Sequence, residues 1–179
     1  GRAERDAKIR ELSDFFGLEE YLDRPVDSLS GGWKKRAAIV CAMLHSPRVL
    51  FLDEPTSGLD INARRLLWDV VRRLHAGGTT IVLTTHYIEE AEALCDRVGI
   101  IDHGRIIALD TPQRLCESVG SVAVEYMEDD RTRYRYFGTR EEANAFAAGI
   151  DTGVDVTIRR TNLEDVFVEL TGKSVGGQK

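Results

Sequence analysis

Cysteine, methionine and tryptophan are scarce in this chain of 179 residues, which contains three, two and two of them respectively. The cysteines, Cys41, Cys95 and Cys116, are odd in number and widely spaced, and they form no CxxC pair. This pattern favours unpaired thiols of the kind found in cytosolic proteins over a disulfide framework, and it makes a metal site improbable.

Long apolar runs are also missing. The apolar stretches at 49–52 and 80–83 are short, whereas a helix that spans a bilayer needs about 20 such residues. The chain also lacks the pattern of a signal peptide. The sequence therefore predicts no membrane-spanning helix.

An excess of basic residues is absent as well. The chain contains 24 Lys and Arg against 30 Asp and Glu, so its formal net charge is −6. Nonspecific binding to nucleic acid needs a concentrated basic surface, and no nucleic-acid partner is expected. This net charge does not argue against a local site for a single nucleotide. The hydrophobic fraction of 42% and the charged fraction of 30% are typical of a globular protein with its own core.

The most informative absence is a phosphate-binding loop of the form GxxxxGK[ST], which holds the phosphates of ATP with its N–H groups and its lysine. The only GK[ST] sequence is at 172–174, and the position that needs the first glycine is Phe167. The residues before it are predicted to be helical, whereas this loop follows a strand. We therefore reject this match.

What is present predicts an α/β fold. Apolar residues at helical spacing predict helices over 4–16, around 18–22, after Gly32, over 63–74 and over 88–94. The apolar runs Val49 to Asp53 and Thr80 to Thr84 predict strands, the first of them buried on both faces as in a parallel sheet. A hairpin is predicted around His103 and Gly104. Alternation of strands and helices indicates a core with a parallel sheet.

The pattern of apolar and polar residues changes near residue 121. Alternating apolar residues, a capping box at Thr139 and Glu142, and a final helical stripe predict a small α+β appendage. We predict a main α/β region over 1–118, an accessory region over 119–171 and a flexible tail over 172–179.

Three short segments carry residues suited to phosphate chemistry. Asp53 and Glu54 end a predicted strand, where an Asp can bind Mg²⁺ and a Glu can polarise a water molecule. His86 follows the next strand and can hydrogen-bond a terminal phosphate. Ser30 and two glycines precede a helix, whose N-terminal end attracts anions.

Each segment also has a structural interpretation. The two acids can be solvated residues before a turn, and His86 can be an ordinary structural histidine. The glycines can form a flexible turn before a helix capped at its N-terminus. The loop that ends at Asp60 can carry contacts across an interface, or Asp60 can simply cap the next helix.

Taken in order and spacing, these segments resemble the nucleotide-binding domain of the ABC ATPases, which has a P-loop NTPase-like core. The similarity covers about residues 1–118. Four motifs carry it: the signature motif Leu29-Ser30-Gly31-Gly32, the Walker B motif with its catalytic glutamate at 49–54, the D-loop at 57–60 and the switch histidine His86.

The resemblance implies two ligands, ATP and Mg²⁺, and two half-sites. It assigns Asp53 to Mg²⁺, Glu54 to general base catalysis and His86 to the γ-phosphate. Family members assemble head to tail, so Leu29, Ser30, Gly31 and Gly32 would face the ATP of a second ATPase domain. Asp60 would lie at that dimer interface.

The phosphate loop of the family lies upstream of the signature motif, and here 28 residues that resemble the helical subdomain precede Leu29. The chain also starts with Gly1 rather than methionine. We expect a chain that has lost an upstream part and that cannot bind or hydrolyse ATP alone. Trp33 stands where many members have glutamine, which would alter packing more than the anion site.

The C-terminal segments at 162–167 and 170–172 resemble the tail of the drug-export branch, the daunorubicin-resistance type. That resemblance implies a separate membrane permease subunit and a location on the cytoplasmic face of the plasma membrane. The cargo would be a drug or a lipid-like molecule. Two alternatives are a non-transport ABC ATPase of DNA repair or translation, and an inactive binding module.

Overall fold

The computed structural model describes residues 1–150 and 153–172. The chain divides into two compact units, Gly1–Glu90 and Ala91–Lys179. Across the described ranges, no helix has both the length and the apolar character needed to cross a membrane. The three cysteines are free thiols, as predicted.

The first unit consists of helices and two strands in alternation. The predicted helix around 18–22 is a short 3₁₀ turn at Glu19–Tyr21, and a second such turn covers Val26–Ser28. The other predicted helices and strands of this unit are confirmed. In chain order they are α1 (Arg2–Phe16), α2 (Gly31–Met43), β1 (Val49–Asp53), α3 (Ile61–Ala76), β2 (Thr80–Thr84) and α4 (Ile88–Leu94), the last of which extends into the second unit.

The two strands β1 and β2 pair in parallel, which confirms the predicted parallel sheet. Their register runs from Val49 opposite Thr80 to Asp53 opposite Thr84. Since both strands run in the same direction without a register shift, their carboxyl ends lie side by side. This pairing determines the positions of two acidic residues at the end of β1 and of the histidine that follows β2.

The prediction that β1 is buried on both faces is wrong for the described chain. Leu50 and Leu52 are 5% and 9% exposed, but Phe51 is 74% exposed. The sheet of the first unit has two strands within the described residues. Helix α3 packs against β2 and contributes the buried side chains of Leu67 and Val70. A continuous apolar run reports hydrophobicity, and it does not report which faces other elements cover.

The second unit contains the predicted hairpin and the predicted α+β appendage. The hairpin turns at His103 and Gly104, whose φ angles of 47° and 73° are both left-handed. A three-stranded antiparallel sheet follows in the order β6-β5-β7. The elements are β3 (Val98–Asp102), β4 (Arg105–Asp110), α5 (Pro112–Val119), β5 (Val122–Glu128), β6 (Arg131–Phe137), α6 (Arg140–Ala147), β7 (Val156–Arg160) and α7 (Leu163–Thr171).

A buried carboxylate connects helix α7 to the sheet of the second unit. Asp165 is 3% exposed and accepts two hydrogen bonds from the Arg159 guanidinium, at 2.6 and 2.8 Å. The Tyr136 hydroxyl donates a third bond at 3.3 Å. Burial of the phenol together with the nearby Asp165 charge raises the pKa of Tyr136. The carboxylate is therefore paired and hydrogen-bonded, as a buried charge must be.

The predicted capping box of α6 is confirmed. The Thr139 hydroxyl accepts a bond from the Glu142 N–H, and the Glu142 carboxylate accepts one from the Thr139 N–H. The predicted boundary between 118 and 119 falls within the second unit and stays a prediction. The predicted flexible tail lies, apart from Gly172, outside the described residues.

Replacement of Gly120 by alanine should destabilise the second unit. Gly120 has a φ of 139°, and a Cβ there would lie 2.9 Å from the Phe137 nitrogen and 3.0 Å from its carbonyl oxygen. Backbone strain and this clash together should cost about 2 kcal/mol or more in the free energy of unfolding. The midpoint of urea-induced unfolding measures the effect. Gly153→Ala is the matched control, because a Cβ at Gly153 meets no atom within 4 Å. Equal midpoints for both variants would contradict the argument.

Candidate functional site

Acidic and imidazole side chains meet at the carboxyl ends of β1 and β2. Asp53 is the last residue of β1 and lies opposite Thr84, the last residue of β2. The Thr84 hydroxyl donates a hydrogen bond to the Asp53 carboxylate. The Glu54 N–H donates to the Thr84 carbonyl at 3.0 Å, so the sheet ladder continues one residue beyond the strand.

Glu54 and His86 form a contact between side chains. His86 Nδ1 lies 3.2 Å from Glu54 Oε1, with the two side chains 53% and 48% exposed. Such an exposed pair contributes little to stability. Its importance is geometric, because it presents a carboxylate and an imidazole together to solvent.

The backbone of Glu54 is left-handed, with a φ of 43°. This conformation costs a residue with a side chain about 1 kcal/mol. The turn that follows it is closed by a hydrogen bond from the Ser57 N–H to the Glu54 carbonyl, at 3.2 Å. A strained residue at the end of a strand, held by its surroundings, is a feature often found at functional sites.

Sequence reasoning missed Lys35, which bonds to this turn from helix α2. Its Nζ donates to the Glu54 carbonyl at 3.1 Å and to the Ser57 carbonyl at 2.6 Å. Burial lowers the pKa of Lys35, and the charges of Glu90 and Glu54 oppose that shift. No sequence signal would have found this role, since a lysine in an amphipathic helix normally faces solvent.

A buried carboxylate at the start of α4 was missed as well. Glu90 is fully buried, and its Oε1 accepts a hydrogen bond from the Trp68 indole at 3.1 Å. Arg64 stacks over the Tyr87 ring at 4.1 Å and approaches Glu89 at 3.7 Å. These contacts connect helices α3 and α4 just beyond His86, and so support the end of β2.

The predicted anion site at Ser30 is the N-terminus of α2. Ser30 is the N-cap, with extended backbone, and its side chain makes no capping hydrogen bond. The prediction that both glycines precede the helix is wrong, because α2 begins at Gly31. Glycine restricts the backbone least, so the pattern could not show where the helix starts. The first N–H groups of a helix have no partner within it, so the site keeps its donors.

The glycines also allow α2 to approach neighbouring parts of the chain. A Cβ on Gly32 would lie 3.3 Å from the Cβ of Ala63 in α3, and one on Gly31 would lie 3.8 Å from Leu59 Cδ2. Among the described residues, no hydrogen bond or ion pair joins Ser30 or its glycines to Asp53, Glu54 or His86. The two predicted groups of site residues are therefore separate in this structure.

Asp60 is the N-cap of α3. Its Oδ1 accepts a hydrogen bond from the Ala63 N–H at 2.9 Å, so the structural interpretation of this residue is confirmed. The carboxylate is nevertheless exposed. Its predicted role at a dimer interface stays a prediction.

The acidic residues at the end of β1 suit Mg²⁺ better than a transition metal. Asp53 offers an exposed carboxylate, and the described part of the chain contains no group of three or more metal-binding side chains. Mg²⁺ characteristically binds through one or two carboxylates, water and substrate phosphates rather than in a cage of protein ligands. The donor set therefore fits Mg²⁺ in company with a phosphate.

Comparison with known proteins agrees with this chemistry. Residues 2–57 match the profile of the ABC transporter family. The chain is 38% identical over 192 residues to the Nod factor export ATP-binding protein I of Sinorhizobium fredii, covering 96% of this chain and 56% of that protein. It is also 38% identical over 200 residues to the daunorubicin resistance ATP-binding protein DrrA2 of Streptomyces coeruleorubidus, covering 94% and 62% respectively. The chain thus spans less than two thirds of the length of these relatives.

Solved structures give the same result for the fold. The protein cbiO1 of Clostridium perfringens, part of the ABC transporter complex cbiONQ, aligns with a TM-score of 0.59 and 33% identity. The alignment covers 64% of this chain and 46% of that chain. A nucleotide-free ATP-binding cassette from an ABC transporter aligns with a TM-score of 0.58 and 26% identity, over 60% and 43% respectively. These neighbours confirm the predicted fold class, a partial α/β core of the P-loop ATPase type.

Removal of the Asp60 side chain should destabilise α3. Asp60→Ala deletes the acceptor for the Ala63 N–H, and loss of an N-cap costs about 1 kcal/mol in the free energy of unfolding. Asp60→Asn keeps an acceptor and should stay close to the parent protein. Chemical denaturation of the three proteins measures the difference. If the two variants unfold at the same denaturant concentration, the cap does not explain the role of Asp60 in the fold.

Proposed function

We propose that this chain, which belongs to the ATP-binding domains of ABC transporters, serves in an ATP-hydrolysing subunit that powers export through a separate membrane subunit. The single observation that carries the proposal is the contact between Glu54 and His86, at 3.2 Å, directly beside Asp53. A carboxylate, an imidazole and a second carboxylate at the ends of adjacent parallel strands suit the hydrolysis of a phosphoanhydride.

Each residue of this group has a distinct proposed role. Asp53 would bind Mg²⁺ directly or through water, and the bound ion would neutralise charge on the phosphates. Glu54 would accept a proton from the attacking water as general base. His86 would hydrogen-bond the γ-phosphate, and its contact with Glu54 would keep the two groups in a fixed relation.

The N-terminus of α2 would serve a different ATP molecule. We propose that Leu29, Ser30, Gly31 and Gly32 face ATP held by a second ATPase domain, assembled head to tail, with Asp60 at the interface. Two observations support this role. The Ser30 hydroxyl is not used as a cap, and the group lacks a direct link to Glu54 within the part of the chain that the structure describes.

The proposed partners are a second ATPase domain and an integral membrane permease. The names of the relatives, for Nod factor export and daunorubicin resistance, support export as the direction. The cargo would then be a drug or a lipid-like molecule. The subunit would lie at the cytoplasmic face of the plasma membrane, attached through the permease. The net charge of −6 agrees with the expectation of no nucleic-acid partner.

Residues 1–179 by themselves should show no Mg-ATPase activity. The sequence contains no acceptable GxxxxGK[ST] loop, so Asp53, Glu54 and His86 would have no phosphates to act upon. Release of inorganic phosphate from ATP, assayed with the purified 179-residue chain, tests this. Turnover that Glu54→Gln abolishes would overturn it, because such turnover would come from this chain.

In the whole gene product, purified with its native partner subunits, Glu54→Gln should lower kcat for ATP hydrolysis about 100- to 10,000-fold. Binding of ATP should stay intact, since Glu54 serves the water and not the phosphates. Steady-state hydrolysis and equilibrium nucleotide binding are measured in parallel. The matched control is Glu89→Gln, an exposed carboxylate on α4 that pairs with Arg64. Loss of nucleotide binding in the Glu54 variant would contradict its assigned role.

Purification of the same gene product from detergent-solubilised cells tests the transport assignment. We expect a membrane permease to co-purify with it. Recovery with ribosomes or DNA, and without a membrane protein, would instead indicate a non-transport ABC ATPase.

A further inference from the structure

We infer that Lys35 is a positioning residue that holds Glu54 in place for hydrolysis and makes this placement depend on helix α2. The inference rests on the proposed role of Glu54 as general base. Lys35 itself would not touch the nucleotide or the attacking water. It would act through the backbone of the turn that carries the Glu54 carboxylate.

One ammonium group contacts the first and the last residue of the turn. Lys35 Nζ donates to the Glu54 carbonyl at 3.1 Å and to the Ser57 carbonyl at 2.6 Å. The Glu54 carbonyl also accepts from the Ser57 N–H at 3.2 Å. Hydrogen bonds from an ionised donor are stronger than neutral ones, so Lys35 connects both ends of the turn.

The left-handed backbone of Glu54 explains why such a contact matters for function. A residue with a side chain does not keep a φ of 43° unless its surroundings hold it there. If the turn relaxed to a more favourable conformation, the Cα–Cβ bond of Glu54 would point in another direction. The carboxylate would then lose its position against His86, which depends on a single contact of 3.2 Å.

The same lysine belongs to the helix that starts at Ser30. Helix α2 runs over Gly31–Met43, so Lys35 lies in its second turn. Gly32, in the first turn, packs against Ala63 at the start of α3. A rigid helix carries a displacement of its N-terminus along its axis. A displacement of this N-terminus would therefore move the Lys35 side chain relative to the Glu54 carbonyl.

The charges around Lys35 agree with an anchoring role. Glu90 and Glu54 are the acidic groups that interact with its ammonium, and Glu90 is fully buried. The ammonium nevertheless donates to carbonyl oxygens of the turn. A lysine held only for its charge would point at a carboxylate, whereas this one satisfies backbone acceptors in a specific geometry.

The decisive variants remove or conserve the donor in the whole gene product with its native partner subunits. Lys35→Met keeps the length of the side chain and removes its hydrogen-bond donors. We expect kcat for ATP hydrolysis to fall about 10- to 100-fold, because a general base is displaced, while KM for ATP stays unchanged. Lys35→Arg keeps a charged donor and should recover part of the rate. Lys34→Met is the matched control, because no hydrogen bond or ion pair of its side chain is among those of the described residues.

A double-mutant cycle separates positioning from a purely structural role. If Lys35 acts through Glu54, Lys35→Met should cause no further loss of rate in a Glu54→Gln background. Equal losses in both backgrounds would overturn the inference, because Lys35 would then act elsewhere. An equal loss in Lys34→Met, or a loss confined to KM, would overturn it too.

The proposed function and this inference fail in different ways. If Glu54→Gln does not slow hydrolysis, the role of Glu54 as general base is wrong, and the inference falls with it. If Glu54→Gln slows hydrolysis but Lys35→Met does not, the proposed function stands and the inference alone is wrong. If Lys35→Met does not fold, Lys35→Arg takes its place in the cycle. A lower kcat at unchanged KM that disappears in the Glu54→Gln background supports the inference, whereas a normal kcat or an equal loss in both backgrounds overturns it.

Discussion

The parallel pairing of β1 with β2 is the constraint on which the candidate site depends. Its unshifted register brings Asp53 opposite Thr84, and the chain continuing from each strand end supplies Glu54 and His86. A shift of one residue would send every side chain of a strand to the opposite face. Glu54 and His86, which are 32 positions apart in sequence, would then no longer meet. The contact between Glu54 and His86 is therefore a consequence of how two five-residue strands align.

The structure separates residues that the sequence places close together. The signature segment and the acidic pair both lie within 32 residues of chain, from Leu29 to Asp60. They nevertheless occupy different elements, one at the start of a helix and the other at the end of a strand. Within the part of the chain that the structure describes, Lys35 on that helix donates hydrogen bonds to the turn that follows the strand. The two groups of candidate residues therefore lie on different elements, which the Lys35 side chain connects through hydrogen bonds.

Much of this architecture could be predicted from the sequence, and the exceptions have physical reasons. Hydrophobic periodicity located the helices and strands, and capping residues such as Thr139 located helix starts, because both signals are local. The burial of β1 was misjudged, since coverage of a face depends on distant elements. Lys35 and Glu90 were missed for the same reason, because their partners lie in other elements and no spacing rule reports them. Asp53, Glu54 and His86 could be singled out because each lies at or after the end of a strand that local periodicity predicts, and their roles stay a prediction.

The left-handed backbone at Glu54 lowers the stability of the fold, while the side chain of this residue supplies a carboxylate to the candidate site. Glycine would adopt a φ of 43° without steric cost, and asparagine would tolerate it better than glutamate does. Selection for a stable fold alone would therefore favour replacing this glutamate. Glutamate at this position therefore keeps a carboxylate there at a cost in stability. A search for stabilising substitutions in this protein would therefore include position 54, and it would remove the carboxylate that contacts His86.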